Sequence, residues 1–320
     1  MKKLSLVFAA VAVLLAFGML TFLPQNHAPE EITLRLAIPQ RTRSLPVYVA
    51  LDRGFFQDQK LRIEMQEPIT GKAAVEAMIK GEVDVAATAQ APAIGTILQG
   101  RKMWILGSIS HSDSHVGLVV GPGVGGVADL KGKRVGTTKG TTNDLFLRIM
   151  LSGADLSIRD VEEVELSPNE MATALAGGRV DAASNVAGYL EPMAAALPGS
   201  KVLLSDGNFL DYWLLVAADD LPRRNPEAIV RMLRALAAAE DYIRAHPDIS
   251  RKIRDRYVPG QSNELSDYTF ALRLDMVIAR TMTNNARILS GPEQPLPNFA
   301  DYLYTAGLKA VRPDAVMVSP

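Results

Sequence analysis

At 320 residues the chain has room for about two domains of ordinary size, and its 48% apolar and 22% charged residues make it globular with ample material for a core. A net charge of −1 argues against non-specific binding to nucleic acid or to acidic membrane surfaces. The absence of cysteine excludes a disulfide framework, a thiolate metal site, a cysteine nucleophile and a lipid-modified N-terminal cysteine.

Met1-Lys2-Lys3 followed by the uncharged apolar run Leu4–Leu23 reads as an export or anchor signal. Ala16-Phe17-Gly18 has the small-x-small pattern of a cleavage site, yet the apolar run continues to Leu23 and so reaches the ~20 residues that span a bilayer. A cleaved leader and an uncleaved anchor both stand, and either places the remainder outside the cytoplasm. Pro24–Glu31 reads as a polar linker, so residues 1–31 form a signal or anchor segment with its linker.

Thr33–Ile38 alternates like a strand and runs into the polar loop Gln40–Ser44. Ser44 is placed to cap a helix with Pro46 in its first turn and Gly54 at its end. Leu61–Met65 is a strand, Lys72–Lys80 a helix closed by Gly81, and Val83–Thr88 a strand leading into Gln90-Ala91-Pro92. Helix Ala93–Leu98 and strand Met103–Ile109 follow, and this alternation predicts a mostly parallel sheet. The order then recurs as strand Lys133–Thr138, helix Asp144–Leu151, strand Val161–Leu166, helix Asn169–Leu175 and strand Val180–Ser184. E-A-M-I-K-G-E-V-D-V-A-A (Glu76–Ala87) is echoed by T-A-L-A-G-G-R-V-D-A-A (Thr173–Ala183), which points to two α/β lobes of similar build.

The C-terminal third is helical. Asn225 caps and Pro226 opens a helix whose apolar residues recur at helical spacing to His246-Pro247. Ser262–Arg280 is predicted as a second long helix and Phe299–Tyr304 as a short final one. The β-like runs His115–Val120 and Tyr212–Ala217 bracket the second unit as crossover strands. The predicted layout is therefore residues 32–113 plus 219–320 as lobe one and 114–218 as lobe two, joined by two crossovers that act as a hinge.

Arg134–Arg148 carries the densest polar signal. A short strand leads through Gly140 into Thr141-Thr142-Asn143-Asp144 and an apolar helix. A Thr141 or Thr142 hydroxyl can N-cap that helix, and the free first-turn amides and positive dipole end make a seat for an anion.

Several runs resemble one family in order from about Thr33 to Pro313. They are L-P-V-Y-V-A-L-D-R-G-F-F (Leu45–Phe56), G-E-V-D-V-A-A (Gly81–Ala87), D-L-K-G-K-R-V-G (Asp129–Gly136), G-T-T-N-D (Gly140–Asp144) and N-P-E-A-I-V-R-M-L-R-A-L (Asn225–Leu236). The chain resembles extracytoplasmic solute-binding proteins of the nitrate/taurine/alkanesulfonate class. The resemblance implies a two-lobed type 2 periplasmic-binding-protein fold, a monomer, capture of a small organic anion by hinge closure, and delivery to the membrane permease of an ABC importer, with no cofactor and no catalysis. The family often carries an aromatic, an acidic or amide residue and a proline a few positions after the second V-D-A. Here Val186-Ala187-Gly188 stands there, and the feature is either missing or displaced to Tyr189-Leu190-Glu191-Pro192.

Ligands of parallel α/β sheets sit at the carboxyl ends of the strands. That rule selects Gln40–Ser44 (Gln40, Arg41 and Ser44 above all) and Gln90–Pro92 from the first lobe, and Lys139–Thr142, with Thr141 and Thr142, and Asn185–Gly188 from the second; the crossover segments add Ser110 and the Asp211–Trp213 stretch. Thr141 and Thr142 would donate to the anionic head, Gln90 and Asn185 would bond it from facing walls, and Trp213 would give a flat apolar wall. Arg41 or Arg43 would supply the countercharge.

Two motifs lead elsewhere. His111-Ser-Asp113-Ser-His115 has nitrogen and oxygen ligands for a metal but lacks the further ligands zinc needs, so it reads as a hinge loop. Gly121-Pro-Gly123-Val-Gly-Gly126 matches G-x-G-x-x-G, but no helix opens at once and it reads as a turn. Alternatives of other classes are a membrane-tethered ligand sensor or adaptor of the same fold and a pyrimidine-precursor synthase-like enzyme. The synthases of this fold depend on a cysteine-rich motif, which is absent here.

Overall fold

Alternating and all-apolar runs build two sheets in the computed structural model, which describes residues 30–204, 209–260, 265–291 and 293–318. The strands follow in chain order as β1 (Ile32–Ala37), β2 (Leu61–Gln66), β3 (Val85–Ala89), β4 (Met103–Ser112), β5 (Val116–Val120), β6 (Arg134–Thr137), β7 (Glu162–Glu165), β8 (Ala182–Val186), β9 (Lys201–Leu204) and β10 (Asp211–Ala218). The first sheet has the order β2-β1-β3-β10-β4 and the second β7-β6-β8-β5-β9. In each, a parallel trio is extended by antiparallel strands: β10 pairs with β3 and β4, and β5 with β8 and β9. The predicted signal or anchor segment lies outside the described residues apart from Glu30 and Glu31. No helix among the described residues is long and apolar enough to cross a membrane.

The repeat read from V-D-A-A has a physical counterpart. Arg35 donates from its backbone N (3.0 Å) and Nε (3.1 Å) to Asp84 Oδ2 and from Nη2 to Oδ1 (3.0 Å). Arg134 makes the same three bonds to Asp181, at 2.9, 3.1 and 2.8 Å. Each bidentate pair ties the first strand of its unit to the residue that opens the third, fixing how far the strand ends project. β5 shows the packing logic within lobe two: Leu118 and Val120 enter the core on one face of the sheet and Val119 the core on the other.

Helix Gly71–Ile79 lies so close to β3 that a Cβ at Gly71 would sit 2.9 Å from Thr88 Cα. Thr70 caps it by accepting from Ala73 N at 3.1 Å. The long helix Pro226–Ala245 buries Ile229, Met232, Leu233 and Leu236 in the core of the first sheet.

Three expectations change. β10 is a central strand of the first sheet, so Asp211–Ala218 belongs with lobe one and not with residues 114–218; its apolar side chains complete that core. The predicted helix Ser262–Arg280 begins in residues 261–264, outside the described set, and its middle is extended. Backbone bridges from Thr269 to His111 and from Arg273 to Ser108 hold it along β4, and the helix proper, Met276–Ser290, starts only after the Asp275 carboxylate caps Ile278 N at 3.1 Å. A separate helix, Pro247–Tyr257, also follows His246 with proline at its first position.

Asp84 is nearly buried and also accepts from Arg224 (2.8 Å), whereas the Asp181 side chain is 32% exposed. Replacing Asp84 with alanine should therefore lower unfolding free energy by about 2 kcal/mol, moderated because its arginines are half exposed. Asp181→Ala should cost less, and urea titrations of the two variants compare them directly.

Candidate functional site

The carboxyl ends of β1, β3, β6 and β8 face a common cleft. Arg41, Arg43, Ala89 and Pro92 line it from the first sheet, together with Ile69 to Lys72 at the start of helix Gly71–Ile79. Thr141, Thr142, Asn143, Asn185 and Tyr189 line it from the second, and His115, Trp213 and Tyr268 close it at the joint.

Six expected residues thus come together: Arg41, Pro92, Thr141, Thr142, Asn185 and Trp213. Gln40 does not join them; it opens onto a neighbouring hollow beside Val258 to Gly260, and its amide donates to Glu67 at 2.7 Å. Ser44, Gln90 and Ser110 are fully buried behind the wall. Ser44 does not cap the following helix. Its hydroxyl donates to Pro39 O (3.0 Å) and accepts from Trp213 Nε1 (3.0 Å), locking the indole. Ser110 donates to Arg43 O at 2.9 Å, and Gln90 Oε1 accepts from Asn285 at 3.3 Å. All three hold the wall from behind through these bonds, which satisfy the two serine hydroxyls and the Gln90 oxygen but leave Gln90 Nε2 buried without a partner.

The Thr/Gly corner is built as a turn, with Gly140 at φ 72 in the left-handed region. Helix Thr142–Ser152 follows with Thr141 at its N-cap position, but the expected hydroxyl cap is not made: Thr141 Oγ1 donates back to Thr138 O at 2.6 Å. Asp144 instead tightens the turn, accepting from Gly140 N (2.8 Å) and from Arg148 Nε (2.6 Å). Thr142 Oγ1 donates to Asp211 Oδ2 at 3.3 Å.

That oxygen is the hub of the site. Arg43 Nη2 reaches it at 2.9 Å, and His115 Nε2 lies 3.2 Å away but off the line of a good hydrogen bond. The Arg43 guanidinium also lies over the Trp213 ring at 4.5 Å, a cation–π contact. Burial works to raise the Asp211 carboxyl, but the Arg43 charge and the His115 contact outweigh it and hold the group below its ordinary value. Burial, followed by the Arg43 charge, pushes His115 down to about 4, so its imidazole is neutral at pH 7. Arg43 Nε, His115 Nδ1 and Asp211 Oδ1 are buried without a partner.

At the rim, Arg41 Nη2 donates to Ile69 O (2.8 Å) and, across the cleft, to the Tyr189 hydroxyl (3.4 Å), with its guanidinium 5.5 Å from that ring. Tyr189 thus puts an aromatic ring at the rim of the cleft, against Arg41. Lys72 Nζ also bridges the cleft, donating to Lys139 O at 2.9 Å. Lys72, His115 and Tyr268 were not foreseen. A lysine in a helix's first turn and a histidine in a connecting loop carry no pattern of their own, and Tyr268 arrives through a segment whose spacing predicts helix but which bridges to β4 keep extended. Among the described residues no group of three or more His, Asp or Glu is disposed to hold a metal ion.

Residues 41–250 match the NMT1/THI5-like family, and the chain belongs to it. A Brucella abortus (strain 2308) protein with a provisional binding-protein name is 26% identical over 248 residues, covering 75% of this chain and 76% of its own. A Bacillus subtilis (strain 168) protein provisionally named as aliphatic sulfonates-binding is 26% identical over 257 residues, 78% of this chain and 76% of its own. The Saccharomyces cerevisiae 4-amino-5-hydroxymethyl-2-methylpyrimidine phosphate synthase THI13 is 23% identical over 255 residues, 74% of each chain. The alkanesulfonate-binding protein SsuA of Xanthomonas axonopodis pv. citri, solved bound to MOPS, superposes with a TM-score of 0.73 at 19% identity, over 87% of this chain and 99% of that one. The fold is that of the periplasmic binding proteins.

His115 is protonated in the unfolded chain below its ordinary value of 6.5 but in the folded one only near 4. The unfolded state thus binds the extra proton in that window, and stability falls with falling pH by on the order of 3 kcal/mol. His115→Gln should flatten this slope between pH 6.5 and 4, leaving the Asp211 contribution at more acid pH; urea midpoints measured across the range decide it.

Proposed function

We propose that the chain is the extracytoplasmic solute-binding component of an ABC-type importer and takes a small organic anion, of the sulfonate kind, into the cleft between its two sheets. The observation that carries this reading is the charge of the lining: Arg41, Arg43 and Lys72 contribute to it, and no aspartate or glutamate does among the described residues. Neither Arg41 nor Lys72 forms an ion pair among the described residues; their recorded bonds are to carbonyls and a phenol, which leaves both charges for a ligand. The cross-cleft bonds of Arg41 and Lys72 supply a closure contact between the lobes, and the joint at His115 supplies the pivot.

The binding-protein names among the relatives and the periplasmic fold support the assignment to capture and not to turnover. So does the lack of any cysteine in a chain whose synthase relatives are the main enzymatic alternative. Export by residues 1–31, cleaved or retained as an anchor, fits a protein that meets its solute outside the cytoplasm.

A thermal-shift screen of ligand-stripped protein against alkyl and aryl sulfonates, nitrate, carboxylates and pyrimidines tests the reading. At a hundredfold excess over Kd, a true ligand should raise Tm by about 5 °C or more, with a smaller radius of gyration in X-ray scattering. Stabilisation by neutral pyrimidines alone would overturn the anion assignment.

A further inference from the structure

The basic groups of the cleft are not equivalent. Arg43 is the deep one, 4% exposed, and Asp211 directly behind it is wholly buried. Arg41 and Lys72 stand at the rim beside Ile69, which is 60% exposed. The deep charge is already answered: Arg43 Nη2 and the Thr142 hydroxyl both donate to Asp211 Oδ2, and Trp213 covers the guanidinium face. The first residue of the helix that would seat an anion thus already gives its hydroxyl to a carboxylate of the protein itself. An oxyanion pressed against Thr142 would meet that carboxylate at close range in a buried setting, where like charges repel strongly. Beside this neutralised floor the cleft is lined by the apolar Ala89, Pro92, Pro168, Val186 and the Trp213 ring and by the uncharged polar groups of Asn143, Asn185 and His115, with no second buried cation among the described lining residues.

We propose that Asp211 is a specificity-determining residue: it neutralises the floor of the cleft, so that the ligand enters apolar body first and leaves its anionic head at the rim between Arg41 and Lys72. The substrate class is then an amphiphilic monoanion, an apolar or aromatic body carrying one sulfonate or carboxylate, and compact oxyanions are disfavoured. Burial of the body supplies affinity in proportion to the apolar area it loses to water, and the rim cations orient it. The inference rests on the anion reading of the cleft given above and sharpens it.

Isothermal titration calorimetry on full-length protein with sulfate, methanesulfonate and benzenesulfonate provides the test. Benzenesulfonate should bind at least tenfold tighter than methanesulfonate, and sulfate weakest. Arg41→Gln and Lys72→Gln should each weaken benzenesulfonate at least fivefold. Asp211→Asn, which keeps shape and removes the charge, should tighten methanesulfonate at least tenfold while changing benzenesulfonate less than threefold. Should that variant fail to fold, the rim variants decide: benzenesulfonate binding unchanged by Arg41→Gln plus Lys72→Gln overturns the orientation. Methanesulfonate or sulfate binding wild type as tightly as benzenesulfonate overturns the inference and leaves the anion reading intact. Binding of none of the three, with a neutral solute bound instead, overturns both.

Discussion

A single carboxylate oxygen, Oδ2 of Asp211, ties the molecule together at its joint. Asp211 opens β10 in the first sheet; Arg43 approaches from the loop after β1, His115 from the segment between the two sheets, and Thr142 from the first helix of the second sheet's corner. A buried carboxylate is tolerable only when such partners replace water. The same requirement therefore fixes Arg43 against Trp213 and brings the two strand-end corners face to face, while burial and the Arg43 charge hold His115 neutral. Removing any partner leaves a charge or donor buried without compensation, and for that reason the geometry of the cleft and the stability of the joint are one problem.

The duplicated Arg–Asp pairs solve the complementary problem of aiming the two sheets. Arg35–Asp84 and Arg134–Asp181 make the same bonds at equivalent strand positions, so each unit presents its loops at the same end. What differs between the two units is what those loops carry. The first presents arginines and the second threonines and amides, which gives a cleft with cations on one wall and neutral hydrogen-bonding groups on the other. Such asymmetry suits a ligand with one charged group.

Function follows from how these charges are spent. Arg43 is consumed internally, and Arg41 and Lys72 reach across the cleft to the opposite lobe while keeping their charge. On the proposed reading, rim cations that bond both lobes couple ligand charge to closure, and the neutralised floor favours burial of an apolar body.

Much of this was legible in the residues themselves. Strand and helix order, the internal repeat, the carboxyl-end rule and the Thr/Gly corner all rest on local patterns of apolar spacing and turn chemistry, and they led to Arg41, Thr141, Thr142, Asn185 and Trp213. Local pattern could not say which neighbouring polar residue faces the cleft and which is turned into the wall. Arg43 and Arg41 are two residues apart, yet one is sealed against Asp211 and the other reaches the opposite lobe; Ser44, Gln90 and Ser110 were drawn inward by carbonyls and side chains distant in sequence. Nor could it place Asp211–Ala218 in the first sheet or keep residues 269–273 extended, since both depend on pairing with β4, from 99 to 165 positions away. Sequence alone determined the elements and the polarity of each loop. The tertiary structure decided which charges cancel, because cancellation depends on a few ångströms between residues that only the completed fold brings together.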